Sequence, residues 1–187
     1  MTKLKTVITT LVGATLALSS CKPDEVPVIP NEEEVITTLN YTLTPNTGGT
    51  AIVLSFQDLD GDGGNAPIIT GGTLESNKTY TGELVLLNEQ ESPSGNITAE
   101  IQEEDEDHQF FFQTNIAGLT VAYNDQDTNG NPIGLQSTVT TTDVGNGTLK
   151  VILRHEPNKS GSGVTSGDIT NAGGETDIEV TFNVIVQ

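Results

Sequence analysis

The chain has 187 residues, of which 26 are acids and seven are cations, so its formal net charge is −19. This charge argues against nucleic acid as a partner, because phosphate binding requires a basic surface. A single cysteine excludes an internal disulfide. The 20 glycines, the absence of tryptophan and an aromatic content of 4% favour short strands and turns over helices.

Residues 1–20 have the layout of a secretory signal. Lys3 and Lys5 precede an uncharged, mostly apolar stretch at 6–18, which is too short to span a bilayer. The stretch ends in Leu18-Ser19-Ser20-Cys21, and this sequence resembles the bacterial lipoprotein box. The resemblance implies cleavage before Cys21 and lipidation of Cys21 as the first mature residue. The alternative is an apolar helix followed by a free thiol.

Residues 21–34 are predicted to form a flexible tether, because three prolines and an acidic run are typical of an extended, solvated spacer. Lys22-Pro23-Asp24-Glu25 loosely resembles a signal for export to the bacterial cell surface. The predicted location is the outer membrane, lipid-anchored on either the periplasmic leaflet or the cell surface. After removal of residues 1–20, five cations remain against 26 acids, so anionic headgroups would repel the chain and the lipid alone would hold it.

Residues 35–187 are predicted to form one domain. One short helix is predicted at 96–107, with Ser94 or Asn96 as its cap. The segment at 157–175 is rich in small polar residues and is predicted to be a mobile loop with little to bury. The pattern as a whole predicts an all-β fold, an antiparallel β-sandwich of eight or nine strands, with a β-barrel as the alternative. Period-two alternation predicts strands at 35–44, 51–56, 68–70, 79–88, 109–113, 119–123, 135–142, 148–155 and 177–186.

Two loops share the pattern D-x-D-x-[D/N]-G. Oxygen-bearing side chains on alternate residues, followed by a glycine turn, can wrap a hard cation such as Ca²⁺. The twelfth positions, where an EF-hand loop has a glutamate, are Ile69 and Gln136, so EF-hand pairing is not expected. A structural calcium loop and an ion-free polar turn are the two alternatives. The candidate calcium ligands are Asp58, Asp60, Asp62, Asp125, Asp127 and Asn129.

The chain has two histidines, His108 and His155, and each lies at the edge of a predicted strand beside acids. Two imidazoles with a carboxylate such as Glu156 would suit Zn²⁺, Cu²⁺ or an iron centre if the strands were neighbours. Two histidines could also hold a haem iron from both sides. The alternative is a pair of hydrogen-bonded histidines at strand ends, and the distance between the two rings decides between these interpretations.

Phe110-Phe111-Phe112 is the densest aromatic cluster of the sequence. In a strand, Phe110 and Phe112 share one face and Phe111 lies on the other. One of these faces is therefore a candidate ligand patch, with Arg154, the single arginine, close to His155 in sequence. The alternatives are core packing for the aromatic rings and an ion pair for Arg154.

Five segments carry a family resemblance that spans nearly the whole domain. They are residues 31–37, residues 57–63, His108-Gln109-Phe110-Phe111, Arg154-His155-Glu156-Pro157-Asn158-Lys159 and residues 173–180. Together they resemble a family of small bacterial outer-membrane lipoproteins that are often labelled type 1 periplasmic-binding fold superfamily proteins. The resemblance implies a lipid-anchored location in the cell envelope and no particular ligand.

The sequence contains no G-x-S-x-G, H-E-x-x-H or P-loop motif, so an enzyme is not expected. The first hypothesis is a lipid-anchored binding or accessory protein of the envelope, stabilised by Ca²⁺ and linked to nutrient uptake, with an outer-membrane uptake receptor as its partner. The alternative is a scavenger of Zn²⁺, Cu²⁺ or haem that uses His108 and His155. A hydrolase of surface polymers is the third hypothesis.

Overall fold

Short strands dominate the computed structural model, which describes residues 34–61 and 63–187. The predicted signal segment, Cys21 and Asp62 lie outside the described residues, as does the predicted tether except for Glu34. In the described part, the strands are β1 Thr38–Pro45, β2 Ile52–Gln57, β3 Ile68–Thr70, β4 Gly72–Leu74, β5 Lys78–Leu87, β6 His108–Thr114, β7 Leu119–Tyr123, β8 Gln136–Thr141, β9 Gly145–His155 and β10 Glu175–Val186. One α-helix, α1 Ile97–Glu103, lies between β5 and β6.

The strands pair into two separate sheets, so the predicted all-β sandwich is confirmed. One sheet has six strands in the order β3-β2-β1-β5-β8-β7, and the other has four in the order β4-β10-β9-β6. Strand β4 was not predicted; it has three residues and runs parallel to the end of β10, whereas the other strand pairs of the described residues are antiparallel.

The core lies between the two sheets and follows the period-two pattern of the sequence. Leu39, Tyr41 and Leu43 of β1 are fully buried and face it from the six-stranded sheet. Strand β10 supplies alternate residues from the other sheet, as predicted; they are Ile178, Val180, Phe182, Val184 and Val186. Burial of such large apolar side chains is the main favourable term in folding.

Helix α1 is short, as predicted, and it ends beside β6. The Asn96 side chain accepts a hydrogen bond from the Ala99 N–H at 3.3 Å and caps the start of the helix. Ile97 and Ile101 are buried on one face. Among the residues described, no helix reaches the length and apolar character needed to cross a bilayer.

The segment after β9 is packed, which corrects the expectation of a loop with little to bury. It forms two 3₁₀ turns, Val164–Ser166 and Ile169–Asn171. Val164 and Ala172 are fully buried against Phe111 and Ile152, on the side of the four-stranded sheet that faces away from the main core. Strand β6 is therefore covered on both faces, and this explains how it carries consecutive phenylalanines.

Candidate metal centre

Four side chains converge at one end of the four-stranded sheet: Glu34, His108, His155 and Asp177. Each offers one ligand atom, and the four atoms lie within 4.8 Å of one another. In the described ranges 34–61 and 63–187, this is the place where three or more histidine, cysteine or acidic ligands meet.

The sheet register brings three of these residues together. His108 begins β6 and pairs directly with His155 at the end of β9, so their ring centroids are 4.5 Å apart. Asp177 lies on β10 at a β-bulge, because Thr176 pairs with Arg154 while Ile178 pairs with Leu153. A bulge re-aims the side chain of its extra residue. Glu34 comes from the segment that leads into β1.

The hydrogen bond at the back of His108 fixes which of its nitrogens faces the other ligands. Nδ1 lies 3.1 Å from the carbonyl oxygen of Glu104, at the end of α1. A carbonyl only accepts, so Nδ1 carries the proton and donates it. Nε2 lies 3.3 and 3.4 Å from the two carboxylate oxygens of Glu34 and 3.8 Å from Asp177 Oδ2. Metal-ligating histidines commonly donate their second N–H to a carbonyl in this way.

The cluster is shielded from water and contains two carboxylates. The exposed fractions of the side chains are 0% for His108, 1% for Asp177, 5% for His155 and 7% for Glu34. Buried carboxylates are costly unless positive charge accompanies them. The arrangement therefore favours a cation at its centre, either protons on the imidazoles or a metal ion.

The pKa shifts have the directions expected for such a cluster. Burial by itself lowers the pKa of His108, but the hydrogen bond and charge of Glu34 outweigh burial and raise it. Burial by itself raises the pKa of Glu34, but His108 and His155 outweigh burial and lower it. Each group thus stabilises the charged form of the other.

The spacing of the ligand atoms suits a small coordination sphere. A tetrahedral ion bound at 2.0–2.1 Å places its ligand atoms about 3.3–3.4 Å apart. The imidazole–carboxylate distances here are 3.3 and 3.8 Å for His108, and 3.9 and 3.7 Å for His155 Nδ1 to Glu34 and Asp177. The four ligand atoms taken as one set lie within 4.8 Å of one another, so the most distant pair would have to approach by as much as about 1.4 Å to hold one tetrahedral ion.

The structure brings the two predicted histidines together but replaces the third predicted ligand. Glu156 is exposed, with φ at 48°, and is not among the four converging residues. Glu34 and Asp177 supply the carboxylates instead. Glu34 was assigned to the tether because it ends an acidic run, and Asp177 was predicted only as the first residue of the last strand. The bulge between Thr176 and Ile178 places Asp177 in the cluster, and a single sequence carries no clear signal for a bulge.

In the first acidic loop, the aspartates bond to their own loop. Asp58 Oδ1 accepts a hydrogen bond from the Gly61 N–H at 2.9 Å. Asp60 Oδ2 accepts from the backbone and side-chain N–H groups of Asn65 at 3.0 and 2.6 Å, and these bonds lower the pKa of Asp60. Such bonds are those of the polar-turn alternative, while a calcium site here stays a prediction.

The second acidic loop has the same character. Asp125 accepts hydrogen bonds from the Gly134 and Gln136 N–H groups at 2.7 and 2.8 Å. Asp127 accepts from the Asn129 N–H at 2.9 Å and from Lys159 Nζ at 2.9 Å. The buried Lys159 ammonium lies beside Asp127 and balances the negative charge that a calcium ion would otherwise balance. Calcium binding by Asp125, Asp127 and Asn129 stays a prediction.

The two phenylalanines of the candidate aromatic patch pack in or against the main core. Phe110 is fully buried in the main core, where it cannot face a ligand. Phe112 is half-buried and stacks on Tyr41 with ring centroids 5.6 Å apart. Arg154 donates a hydrogen bond to the Gly174 carbonyl at 3.3 Å, and no salt bridge joins it to a described acid. Phe110 and Phe112 therefore match the core-packing alternative.

Comparison with protein-family models, with curated proteins and with solved structures finds no match to this chain.

Proposed function

We propose that this protein binds one divalent transition-metal ion, Zn²⁺ in the first instance, through Glu34, His108, His155 and Asp177. The observation that carries the proposal is the convergence of four buried ligand atoms within 4.8 Å. The two carboxylates together carry two negative charges and the neutral imidazoles carry none, so the four ligands balance the charge of a divalent ion. Nitrogen and oxygen donors without sulfur suit Zn²⁺, Cu²⁺ and Fe²⁺ over soft ions, and four donors suit the tetrahedral preference of Zn²⁺.

The geometry argues against haem as the bound group. Two axial imidazoles on opposite faces of a haem iron, each bound through a metal–nitrogen bond of about 2 Å, would hold their ring centroids about 6 Å apart. The His108 and His155 rings are 4.5 Å apart, centroid to centroid, and tilted by 55°. This separation supports a single ion that touches both rings.

The site favours holding a metal over catalysis with it. Structural zinc sites have four protein ligands, whereas catalytic sites have three and leave a position open. Four side chains are available here, and all four are nearly inaccessible to water. With the predicted lipid on Cys21, we propose a non-enzymatic, envelope-anchored metal-binding protein, and its coupling to an uptake receptor stays a prediction.

Calorimetric titration of the purified, metal-free protein with Zn²⁺ and Co²⁺ tests the proposal. We expect one ion per chain, with the visible Co²⁺ spectrum of a four-coordinate nitrogen and oxygen site. His108→Ala and Asp177→Asn should weaken binding at least tenfold, because each removes a ligand. Asp143→Asn makes the same charge change in the turn before β9, at the opposite end of that strand from His155, and should bind normally.

The competing interpretation is a buried ion-pair cluster in which both imidazoles are protonated. In that case neither ion would give binding heat or a d–d spectrum, and the proposal would be wrong. Equal binding by His108→Ala and the unsubstituted protein would contradict the assignment of the site.

A further inference from the structure

A cavity of about 400 Å³ lies against one side of the metal centre. Its lining includes both carboxylate ligands, Glu34 and Asp177, and neither histidine. Ile36, Phe56 and Ile178 give it partly apolar walls. The two carboxylate ligands of the metal centre therefore lie at the edge of this cavity, and the two histidines do not line it.

The opposite side of the metal centre is closed by protein. His108 is fully buried, and the Glu104 carbonyl at the end of α1 holds its Nδ1. His155 is 4% exposed and pairs with His108 across the sheet. The histidine side is thus occupied by the Glu104 carbonyl and by the paired strands β6 and β9.

The cavity is acidic beyond the ligands themselves, because Asp58 and Glu179 also line it. Glu179 is paired with Lys150, so part of its charge is offset. Asp58 forms no salt bridge with any residue that the structure describes, and its Oδ1 accepts a hydrogen bond from the Gly61 N–H. Asp58 is thus an uncompensated negative charge on the wall of the cavity.

We infer that this cavity is the access route of the metal ion, and that Asp58 accelerates binding by attracting the cation towards Glu34 and Asp177. The inference rests on the proposed function, which supplies the ion. A cleft lined by charges of one sign raises the local concentration of its counter-ion and the association rate. Asp58 then acts on the rate of metal uptake and is not itself a ligand.

Stopped-flow measurement of Co²⁺ and Zn²⁺ association tests this inference. Asp58→Asn removes the charge but keeps an oxygen that can accept the Gly61 hydrogen bond. At low ionic strength we expect its association rate constant to fall about threefold, with the dissociation rate constant unchanged. High salt should shrink the difference, because screening weakens steering. Asp143→Asn, an exposed acid in the turn before β9, is the control and should associate at the normal rate.

The outcomes separate the two proposals. If the unsubstituted protein shows no Co²⁺ spectrum, the metal-binding proposal fails and this inference fails with it. If Co²⁺ binds normally but Asp58→Asn and Asp143→Asn associate at the same rate, metal binding stands and the access route is wrong. A slower association that salt does not affect would also overturn the steering role of Asp58.

Discussion

At the scale of single residues, His108 explains why the cluster requires a cation. Its Nδ1 donates to the Glu104 carbonyl, so its Nε2 is left to face carboxylate oxygens of Glu34 and Asp177. Carboxylates only accept hydrogen bonds, and a neutral Nε2 also only accepts. A proton or a metal ion on Nε2 removes this conflict.

The metal-free protein should therefore show a characteristic dependence of stability on pH. The pKa of His108 is raised, so its contribution is fully present below its ordinary value of 6.5 and is lost as pH rises through the folded-state pKa. The pKa of Glu34 is lowered, so its contribution is present above 4.5 and is lost as pH falls through the folded-state pKa. The difference in melting temperature between the unsubstituted protein and Glu34→Gln should be largest between pH 4.5 and 6.5. The same difference at pH 5.5 and pH 9 would contradict this coupling.

Gly82 is a residue whose identity the core dictates. The Tyr41 hydroxyl and Ser137 Oγ lie 2.6 Å apart in a buried hydrogen bond. A Cβ at position 82 would lie 2.4 Å from Ser137 Oγ and 2.8 Å from the Tyr41 ring. Gly82→Ala should cost about 1–3 kcal/mol of unfolding free energy in chemical denaturation, because overpacking forces these side chains apart.

Gly145→Ala is the matched control for this prediction. Gly145 also lies in a strand, and its nearest contact for a new Cβ is Ile116 at 3.9 Å, an ordinary van der Waals distance. Equal losses of stability in the two variants would mean that glycine flexibility, and not the Tyr41–Ser137 pair, sets the cost at Gly82.

At the scale of elements, nine of the ten described strands followed from the sequence, whereas β4 and the packed segment after β9 did not. The ends of β3 and β7 are those predicted, and α1 lies within its predicted range, because alternation and capping are local signals. Val164 and Ala172 are isolated apolar residues in a polar stretch, so no period reveals them. They are buried because Phe111 and Ile152 give them an apolar surface that only the folded sheet creates.

The candidate metal centre was predictable only in part, because some of its residues also depend on contacts that only the folded sheet creates. His108 and His155 were visible as rare residues at strand edges. Glu34 was hidden in an acidic run, and Asp177 depends on a bulge between Thr176 and Ile178. A bulge is a property of two paired strands, so reading one strand at a time cannot locate it.

The buried Lys159–Asp127 ion pair joins the segment after β9 to the second acidic loop. Lys159 Nζ donates to Asp127 Oδ2 at 2.9 Å and also to the Asp105 carbonyl. Asp127→Asn would leave the Lys159 charge buried and should lower stability by about 2 kcal/mol. Burial by itself raises the pKa of Asp127, but the bonds from Lys159 and from the Asn131 N–H outweigh burial and lower it. The contribution of the ion pair to stability should therefore be lost as pH falls below 3.8 through the folded-state pKa of Asp127.

Hydrogen exchange distinguishes this local attachment from a general loss of stability. In Asp127→Asn, the amides of residues 158–172 should exchange faster while those of β9 and β10 stay protected. The control is Asp143→Asn, an exposed acid whose replacement should change neither region. Uniformly faster exchange across both sheets in Asp127→Asn would contradict a role confined to this segment.

At the scale of the whole molecule, the metal centre connects the two layers of the sandwich. His108, His155 and Asp177 belong to the four-stranded sheet, whereas Glu34 leads into β1 of the six-stranded sheet. A metal ion bound by all four would therefore link the sheets at one end through coordination bonds. An ion that binds only the folded state adds its binding free energy to the free energy of unfolding.

Zn²⁺ should consequently raise the melting temperature of the protein. At a free concentration one hundred times the Kd, the gain is about 2.7 kcal/mol, which corresponds to roughly 5–10 °C for a domain of this size. A chelator should reverse the shift. His108→Ala and Asp177→Asn should lose about half of the shift or more, because a tenfold weaker affinity leaves about 1.4 kcal/mol at the same Zn²⁺ concentration, while Asp143→Asn should keep the full shift. A shift of the same size in His108→Ala would mean that Zn²⁺ acts on the acidic surface as a whole, and the link between the sheets would have to be abandoned.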